Sequence, residues 1–326
     1  MELEENKVNE IKKVFNGLKL GDVLKIEIQS EYLYTIFTND KKYILREYSK
    51  DEIKNDYDVQ KKKKEYKVSE ILKENGVPTL SPINFDGKFL IKYKDTYYLI
   101  YDYLPLKKKT VKNISTKNIK KMANTLAILN KKNLKEDLPS KYKIIKIDYN
   151  KYLKTFKSTN NELYKALYDN YFILYNLTTI SNSKLKYIKN IQCITYSQYN
   201  LDNILWDKDY MYLMKFDNYI TANPNTNFLE SAFYIAKEND KINYDTYKTF
   251  IQSYLKKYND PSLNFKDSLT TAMNYKLQEL TKLLENCSSI KKDKNIIDKT
   301  ISLIKDISLY GKNIETLYKI YQSVTK

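Results

Sequence analysis

Residues 191–219 read IQCITYSQYNLDNILWDKDYMYLMKFDNY, and the alternation in this stretch decides the fold. An apolar run rich in β-formers ends at Tyr196. A polar loop carries the chain from Ser197 to Asn203, and two short β segments, NILW and YMYLMKF, flank Asp207-Lys208-Asp209. Aromatic and aliphatic runs on either side of a charged turn predict a hairpin. On both sides of it the periodicity is helical. Ser115 is placed as an N-cap for a helix whose apolar face holds Ile119, Met122, Leu126 and Leu129. Further helical stretches cover about 147–189, 226–258 and 266–324. A hairpin with a polar loop at its mouth, set into a helical region, has few purely structural explanations.

Upstream the pattern changes to short strands. Val8, Ile11, Phe15 and Leu18 recur at steps of three and four, predicting a helix over 4–19. VLKIEIQ (23–29), YLYTIFT (32–38) and KKYILREY (41–48) then read as an antiparallel meander turning at Asn39-Asp40. A helix from Asp51 to Asn75 follows, with Val68, Ile71 and Leu72 on one face, Gly76 placed to end it, and Pro78 beyond. Two more strands, INFDGKFLIKY and DTYYLIYDYL, join around Lys94-Asp95 before Pro105 interrupts the chain. The expected division is a small α+β unit over 1–104, its first 20 residues a preceding helix, and a mainly helical unit over 105–326. No internal repeat and no Pro- or Gly/Ser-rich linker separates the two.

Composition removes whole classes of chemistry. The 326 residues contain no histidine, so a His triad or a His metal site is excluded. Cys193 and Cys287 alone cannot form a four-thiolate zinc site. The charge is +17, from 57 Lys and Arg against 40 Asp and Glu, which invites a nucleic-acid reading. Yet Arg46 is the sole arginine, and an excess of Lys, Asn, Ile and Tyr is what AT-rich coding produces. Phosphate and base readers lean on Arg, so nucleic acid is not the expected partner. Lys61–Lys64 and Lys107–Lys109 read as solvated faces. The N-terminal MELEENKVNEIKK lacks the apolar core of a signal peptide and no run is long enough to span a bilayer, so a non-exported chain without a membrane partner is the expectation.

Strands plus one helix, a short hinge at 101–105, then a helical region carrying loop, strand, turn and strand, resembles the protein kinase-like fold of aminoglycoside phosphotransferases and choline kinases. Within that superfamily the chain is similar to the spore coat proteins of the CotS type. The resemblance covers about residues 20–285 and rests on order and spacing. It implies a bilobal α+β fold: a five-stranded antiparallel sheet with a helix, then a larger helical lobe with a small β-hairpin at the cleft. The family's catalytic loop runs His-Gly-Asp, four residues, then Asn. Here Tyr196 stands for the His, Gln198 for the catalytic Asp, and only Asn203, a metal ligand by the resemblance, is retained. The metal-binding Asp of the following hairpin is Lys215, with Asp217 two residues on. The strand Lys that grips phosphates is Arg46, and its helix partner is Glu65, or Glu70 by a looser spacing. The turn at Ser30-Glu31 has none of the glycines of a phosphate-covering loop.

These departures have chemical consequences. A Gln amide oxygen accepts a hydrogen bond but does not take a hydroxyl proton, which removes a contribution of about 10²- to 10⁴-fold. A cation at the metal position repels Mg²⁺, which needs hard anionic oxygens. The resemblance thus implies a pseudokinase that assembles with other spore coat proteins. It requires no cofactor, and residual ATP or anion binding at Arg46, Glu65 and Lys215 is expected to be independent of Mg²⁺. The 33 tyrosines suit such material as contact and cross-linking groups. The alternatives are a divergent small-molecule phosphotransferase, with Asp202 or Asp217 replacing the lost carboxylates, and a Lys-rich nucleic-acid binder.

Overall fold

The structure is a computed structural model that describes residues 4–49, 52–131, 140, 142–213, 219–258, 264–289 and 293–325. The chain divides into two compact units, Met1–Lys107 with Leu205–Asp217, and Lys108–Ile204 with Asn218–Lys326.

The first unit opens with helix α1 (Glu5–Gly17) and the strands β1 (Val23–Ser30), β2 (Leu33–Thr38) and β3 (Lys42–Tyr48). Helix α2 (Asp56–Glu74) follows, then β4 (Ile91–Tyr93), β5 (Thr96–Asp102) and the short β6 (Lys107–Lys108). The sheet is five-stranded in the order β1-β2-β3-β5-β4, with each neighbouring pair antiparallel. The period of two along β3 sends Tyr43 and Leu45 into the core, where Ile11, Val14 and Phe15 of α1 cover them. Polar groups clamp the same contact. Lys7 Nζ donates to Glu47 at 2.7 Å and to the Tyr98 hydroxyl at 2.8 Å, and that hydroxyl donates to Glu10. Helix α2 starts where Asn55 Oδ1 accepts from Asp58 N at 3.2 Å and stops at Gly76, whose φ of +81° suits only the left-handed region.

The expected strand over 83–93 is shortened to Ile91–Tyr93. Asp86 and Gly87 both take positive φ, and Phe85 and Lys88 bridge across them, so the chain reverses where a continuous strand was expected. The cause is local: Asn84 Oδ1 accepts from Gly87 N at 2.7 Å and holds the turn.

In the second unit α3 (Thr116–Lys131) is capped by Ser115, whose hydroxyl accepts from Asn118 N at 3.2 Å. Helices α4 (Tyr149–Thr159), α5 (Asn161–Asp169), α6 (Tyr171–Ser183) and α7 (Leu185–Asn190) lead into β7 (Cys193–Tyr196). The chain then forms the hairpin β8 (Ile204–Asp207) and β9 (Tyr210–Leu213), turning at Lys208 with φ of 52°. Residues from Leu205 onward in this hairpin belong to the first unit, because Leu213 exchanges backbone hydrogen bonds with Pro78 and Leu80 at 3.0 and 3.1 Å. The expected division at 104/105, with the hairpin wholly in the helical part, differs from this for that reason.

The chain continues with β10 (Tyr219–Ala222), antiparallel to β7, then α8 (Pro224–Ala236) and a small ribbon of β11 (Lys237–Glu238) and β12 (Lys241–Ile242). Helices α9 (Tyr244–Lys257), α10 (Phe265–Thr271), α11 (Asn274–Ser289) and α12 (Lys294–Thr325) complete it. Among the described residues no helix is long and apolar enough to cross a membrane.

Helix α12 passes close to α6 at Gly311, where an added Cβ overlaps Ile173 Cγ2 and lies 3.1 Å from Leu177 Cδ1. Helix propensity alone favours Ala by about 1 kcal/mol, but overpacking costs about 1–3 kcal/mol. Gly311→Ala is expected to lower the thermal midpoint; an unchanged or higher midpoint by differential scanning calorimetry contradicts this packing.

Candidate functional site

The loop after β7 is positioned by a buried polar junction. Thr195 Oγ1 lies 2.9 Å from Asn130 Oδ1 of α3 and 2.6 Å from Asn227 Oδ1 of α8. Asn130 Nδ2 donates to the Tyr254 hydroxyl of α9 at 2.9 Å, and Asn227 Nδ2 donates to the carbonyl of Tyr196 at 3.1 Å. All of these residues are buried, so three helices fix the end of β7 through groups that have no access to water.

From that anchored end the loop closes on itself. Asn200 Oδ1 accepts from the backbone N–H of Asp202 and Asn203 at 3.1 and 3.2 Å, capping a 3-10 turn over Leu201–Asn203. Asn203 Nδ2 donates to Gln198 O, Gln198 Oε1 and Asn200 Oδ1, each at 3.2 Å. The structure therefore brings Gln198 and Asn203 together. With Nδ2 committed to three oxygens, the Asn203 amide is fixed in orientation, and Gln198 Oε1 is turned onto a neighbouring side chain. Asp202 is exposed at the rim of the same turn.

Tyr196, at the His position of the motif, is fully buried. Its ring meets Tyr199 edge-on at 6.2 Å and Tyr219 at 5.3 Å. Burial pushes the phenols of Tyr199 and Tyr219 well above their usual range, and the Tyr199 hydroxyl donates to the carbonyl of Met122 at 2.7 Å. This corner is aromatic core.

Charged residues that the sequence reading missed sit beside Gln198. Glu230, Tyr234 and Lys276 line with it a pocket of about 10 Å³, the size for one water. Lys276 Nζ donates to Glu279 at 3.0 Å and lies 5.2 Å from the centre of the Tyr234 ring. Burial would lower the Lys276 pKa, but Glu230 and Glu279 outweigh it and raise the pKa. For Glu279 burial acts upward, and Lys276 and Lys299 hold it below its ordinary value. The available signal was the run NFLESAFYIA, where a single Glu interrupts an otherwise apolar helix.

The first unit holds the other expected residues. Arg46, on β3, donates from Nη2 to Glu52 at 2.9 Å and stacks its guanidinium 4.8 Å from the Tyr48 ring. Glu65, on α2, is buried and accepts from Lys62 Nζ at 3.1 Å. Lys62 Nζ stands 5.3 Å from the centre of the same Tyr48 ring, so Arg46 and the Lys62–Glu65 pair share one aromatic neighbour. Lys62 corrects the reading of Lys61–Lys64 as a solvated face: it is 8% exposed, because the helix turns it inward three residues ahead of a buried Glu. Beside Arg46 lies a cavity of about 540 Å³, bounded by β1, β2 and β3 with the segment 101–106. Lys215 and Asp217 lie outside the described residues. Among the described residues no cluster of carboxylates or thiols is arranged to hold a metal ion.

No protein-family profile and no curated protein sequence matches the chain. Solved structures do. Spectinomycin phosphotransferase APH(9)-Ia, in complex with ADP and spectinomycin, superposes with a TM-score of 0.64 at 12% identity, covering 93% of this chain and 98% of that one. The chain has the kinase-like fold. An aminoglycoside phosphotransferase from Alicyclobacillus acidocaldarius gives a TM-score of 0.61 at 9% identity, covering 93% of each chain. Choline kinase LicA from Streptococcus pneumoniae gives 0.59 at 13% identity, covering 93% and 99%. At such identities the likeness is one of fold. It fits the five-stranded antiparallel sheet of the first unit and the helical second unit.

Thr195→Val removes the hydroxyl and its single proton, leaving a buried amide oxygen short of a donor, at an expected cost of about 1–3 kcal/mol. Urea unfolding checks it, and a loss below a few tenths of a kcal/mol contradicts the junction. Glu279 supplies a pH signature. A carboxyl whose folded pKa lies below its unfolded value of 4.5 contributes stability that is present above pH 4.5 and lost as pH falls through the folded value. The urea midpoint of Glu279→Gln should therefore vary less with pH below 4.5 than that of the wild type.

Proposed function

We propose that this chain is a pseudokinase, a kinase-like scaffold without appreciable phosphotransferase activity. The observation that carries this reading is the loop closed by Asn203 on Gln198 at 3.2 Å. A neutral amide stands where the reaction needs a carboxylate to accept the substrate proton, and it is already hydrogen-bonded within the loop. Tyr196 adds to this, since its ring is sealed in the core where the family's His stands. Binding of a bare anion at Arg46 is a weaker corollary, because Glu52 neutralises the guanidinium at 2.9 Å.

A structural role in a spore coat, with other coat proteins as partners, is the finer proposal. Its support is the CotS resemblance, together with tyrosines that stay exposed, among them Tyr57, Tyr168, Tyr175, Tyr210 and Tyr244. A second reading, a divergent small-molecule kinase, draws on the solved neighbours, which include the spectinomycin phosphotransferase and the choline kinase. The retained Asn203 and the exposed Asp202 are compatible with it.

The two readings separate in one assay. The protein is incubated with labelled ATP, Mg²⁺ and a panel of amino alcohols and aminoglycosides, with Asn203→Ala as the control. The expected outcome is no transfer above the blank for either protein. Turnover by the wild type that the substitution abolishes would overturn the pseudokinase reading in favour of the kinase.

A further inference from the structure

Helix α6 turns an uncharged face to solvent. Charged residues make up 30% of the chain, yet residues 170–183, NYFILYNLTTISNS, contain none, the longest such run in the sequence. The core accounts for one side of it, where Leu174, Leu177, Thr178 and Ser181 are buried. It does not account for the other side. Phe172 and Tyr175 are 77% and 51% exposed, and the exposed Asn176, Thr179, Ile180 and Ser183 share their face at helical spacing.

Apolar surface extends this face at both ends. Tyr168 of α5, just before the helix, is 61% exposed and stacks on Tyr164 at 5.7 Å. At the far end Asn182 exchanges two 2.9 Å hydrogen bonds with the backbone of Ile145, which brings the exposed Ile144 beside the last turn. A buried aromatic side chain covers about 150–250 Å², so the exposed parts of the three rings offer roughly 300–450 Å². With Ile144 and Ile180 added, two copies joined here would bury about 1,000 Å² in total, the size of a weak specific interface.

Charge decides what fits. Each copy carries +17, so two copies repel wherever their lysines meet, and this face has none. An acidic partner or an anionic surface gains nothing from a face without cations. Beyond the C-terminal end lie Lys143, Lys146, Lys186 and Lys189, with Lys184 paired to Asp267 at 3.0 Å. Before the N-terminal end Lys165 and Asp169 offset each other.

The exposed set is also unchanged when the helix is reversed about its midpoint: 172 exchanges with 183, 175 with 180, and 176 with 179. A two-fold axis there lays α6 antiparallel on a second copy, with Tyr175 against Ile180, Phe172 against Ser183 near Ile144, and the exposed Asp169 toward the exposed Lys186. That arrangement keeps the two lysine-rich ends apart and sets opposed helix dipoles side by side.

We propose that the chain forms a two-fold homodimer through this face, the α6 helices of the two copies running antiparallel. The inference stands whether or not the chain transfers phosphate. Sedimentation equilibrium of the full-length protein over a concentration series is expected to show reversible monomer–dimer exchange. Phe172→Asp should weaken the dimer about tenfold or more, whereas Tyr57→Asp, at a ring that is also 77% exposed but lies on α2, should leave it unchanged. Asp169→Lys and Lys186→Asp each set like charges against one another and should weaken it about fivefold. A mixture of these two variants should recover the wild-type affinity in its mixed dimer, where both contacts again join opposite charges.

Circular dichroism confirms that each variant, changed at an exposed position, is folded. A monomer at every concentration, or a dimer indifferent to Phe172→Asp, overturns the proposal. Charge variants without effect, or a mixture that fails to recover, overturn the antiparallel arrangement. Binding to phosphatidylglycerol vesicles that Phe172→Asp abolishes, with no dimer in solution, overturns the second copy as occupant and assigns the face to a lipid surface.

Discussion

A single hydroxyl, Thr195 Oγ1, buried between the amide oxygens of Asn130 and Asn227, sets the geometry on which the loop depends. Each side chain in this junction has another obligation. Asn130 reaches the Tyr254 hydroxyl, Asn227 reaches the Tyr196 carbonyl, and the Tyr254 ring stacks on Phe228 at 4.1 Å. Polar groups removed from water are costly when unmatched, so the helices are confined to the arrangement that keeps the one hydroxyl proton within reach of both oxygens. The end of β7 is thereby fixed, and a loop only a few residues long inherits that rigidity. Asn200 then uses its own side chain to close the 3-10 turn, which leaves Asn203 and Gln198 within reach of each other.

The helical unit keeps charged side chains beside the loop that carries Gln198. Glu230 and Lys276 lie next to the loop, and Lys276 pairs with Glu279 at 3.0 Å. The first unit follows the same logic. Glu65 accepts from Lys62 of its own helix, and Arg46 donates to Glu52. Pairing within a helix at i,i+3 closes a short loop of chain and costs little ordering entropy. It gives a buried carboxylate its counter-charge.

Much of the fold was legible because strong local signals agreed with one another. The α1 periodicity, the turns at Asn39-Asp40, Lys94-Asp95 and Lys208, and the Ser115 cap are each readable from a few residues, and each is present. The strand expected over 83–93 failed where Asp86-Gly87 competed with the apolar pattern around it, and the turn prevailed through Asn84. The membership of the 205–213 hairpin was not legible either, because it is decided by backbone hydrogen bonds to Pro78 and Leu80, more than a hundred residues away in the chain. In the loop, the spacing of Gln198 and Asn203 was readable and their contact was not. Lys62 was obscured by its surroundings: in a run of four lysines, only the helical phase relative to Glu65 shows which one turns inward.

The tyrosine content takes on a sharper meaning from burial. Tyr98, Tyr142, Tyr196, Tyr199, Tyr219, Tyr247, Tyr254 and Tyr310 are among the largest fully buried side chains, filling positions that Phe or Leu would fill elsewhere. For several the hydroxyl is an added demand. Tyr199 and Tyr310 satisfy it through the carbonyls of Met122 and Leu269 at 2.7 and 2.6 Å, whereas the hydroxyls of Tyr219 and Tyr247 have no partner among the described residues. A buried hydroxyl without a partner costs about 1–3 kcal/mol, so selection for stability alone would favour Phe at those two sites. Their retention fits a codon bias toward Tyr acting on the core. The buried phenols are also withheld from oxidants and partners, which confines any cross-linking or contact role to the exposed set on the surface.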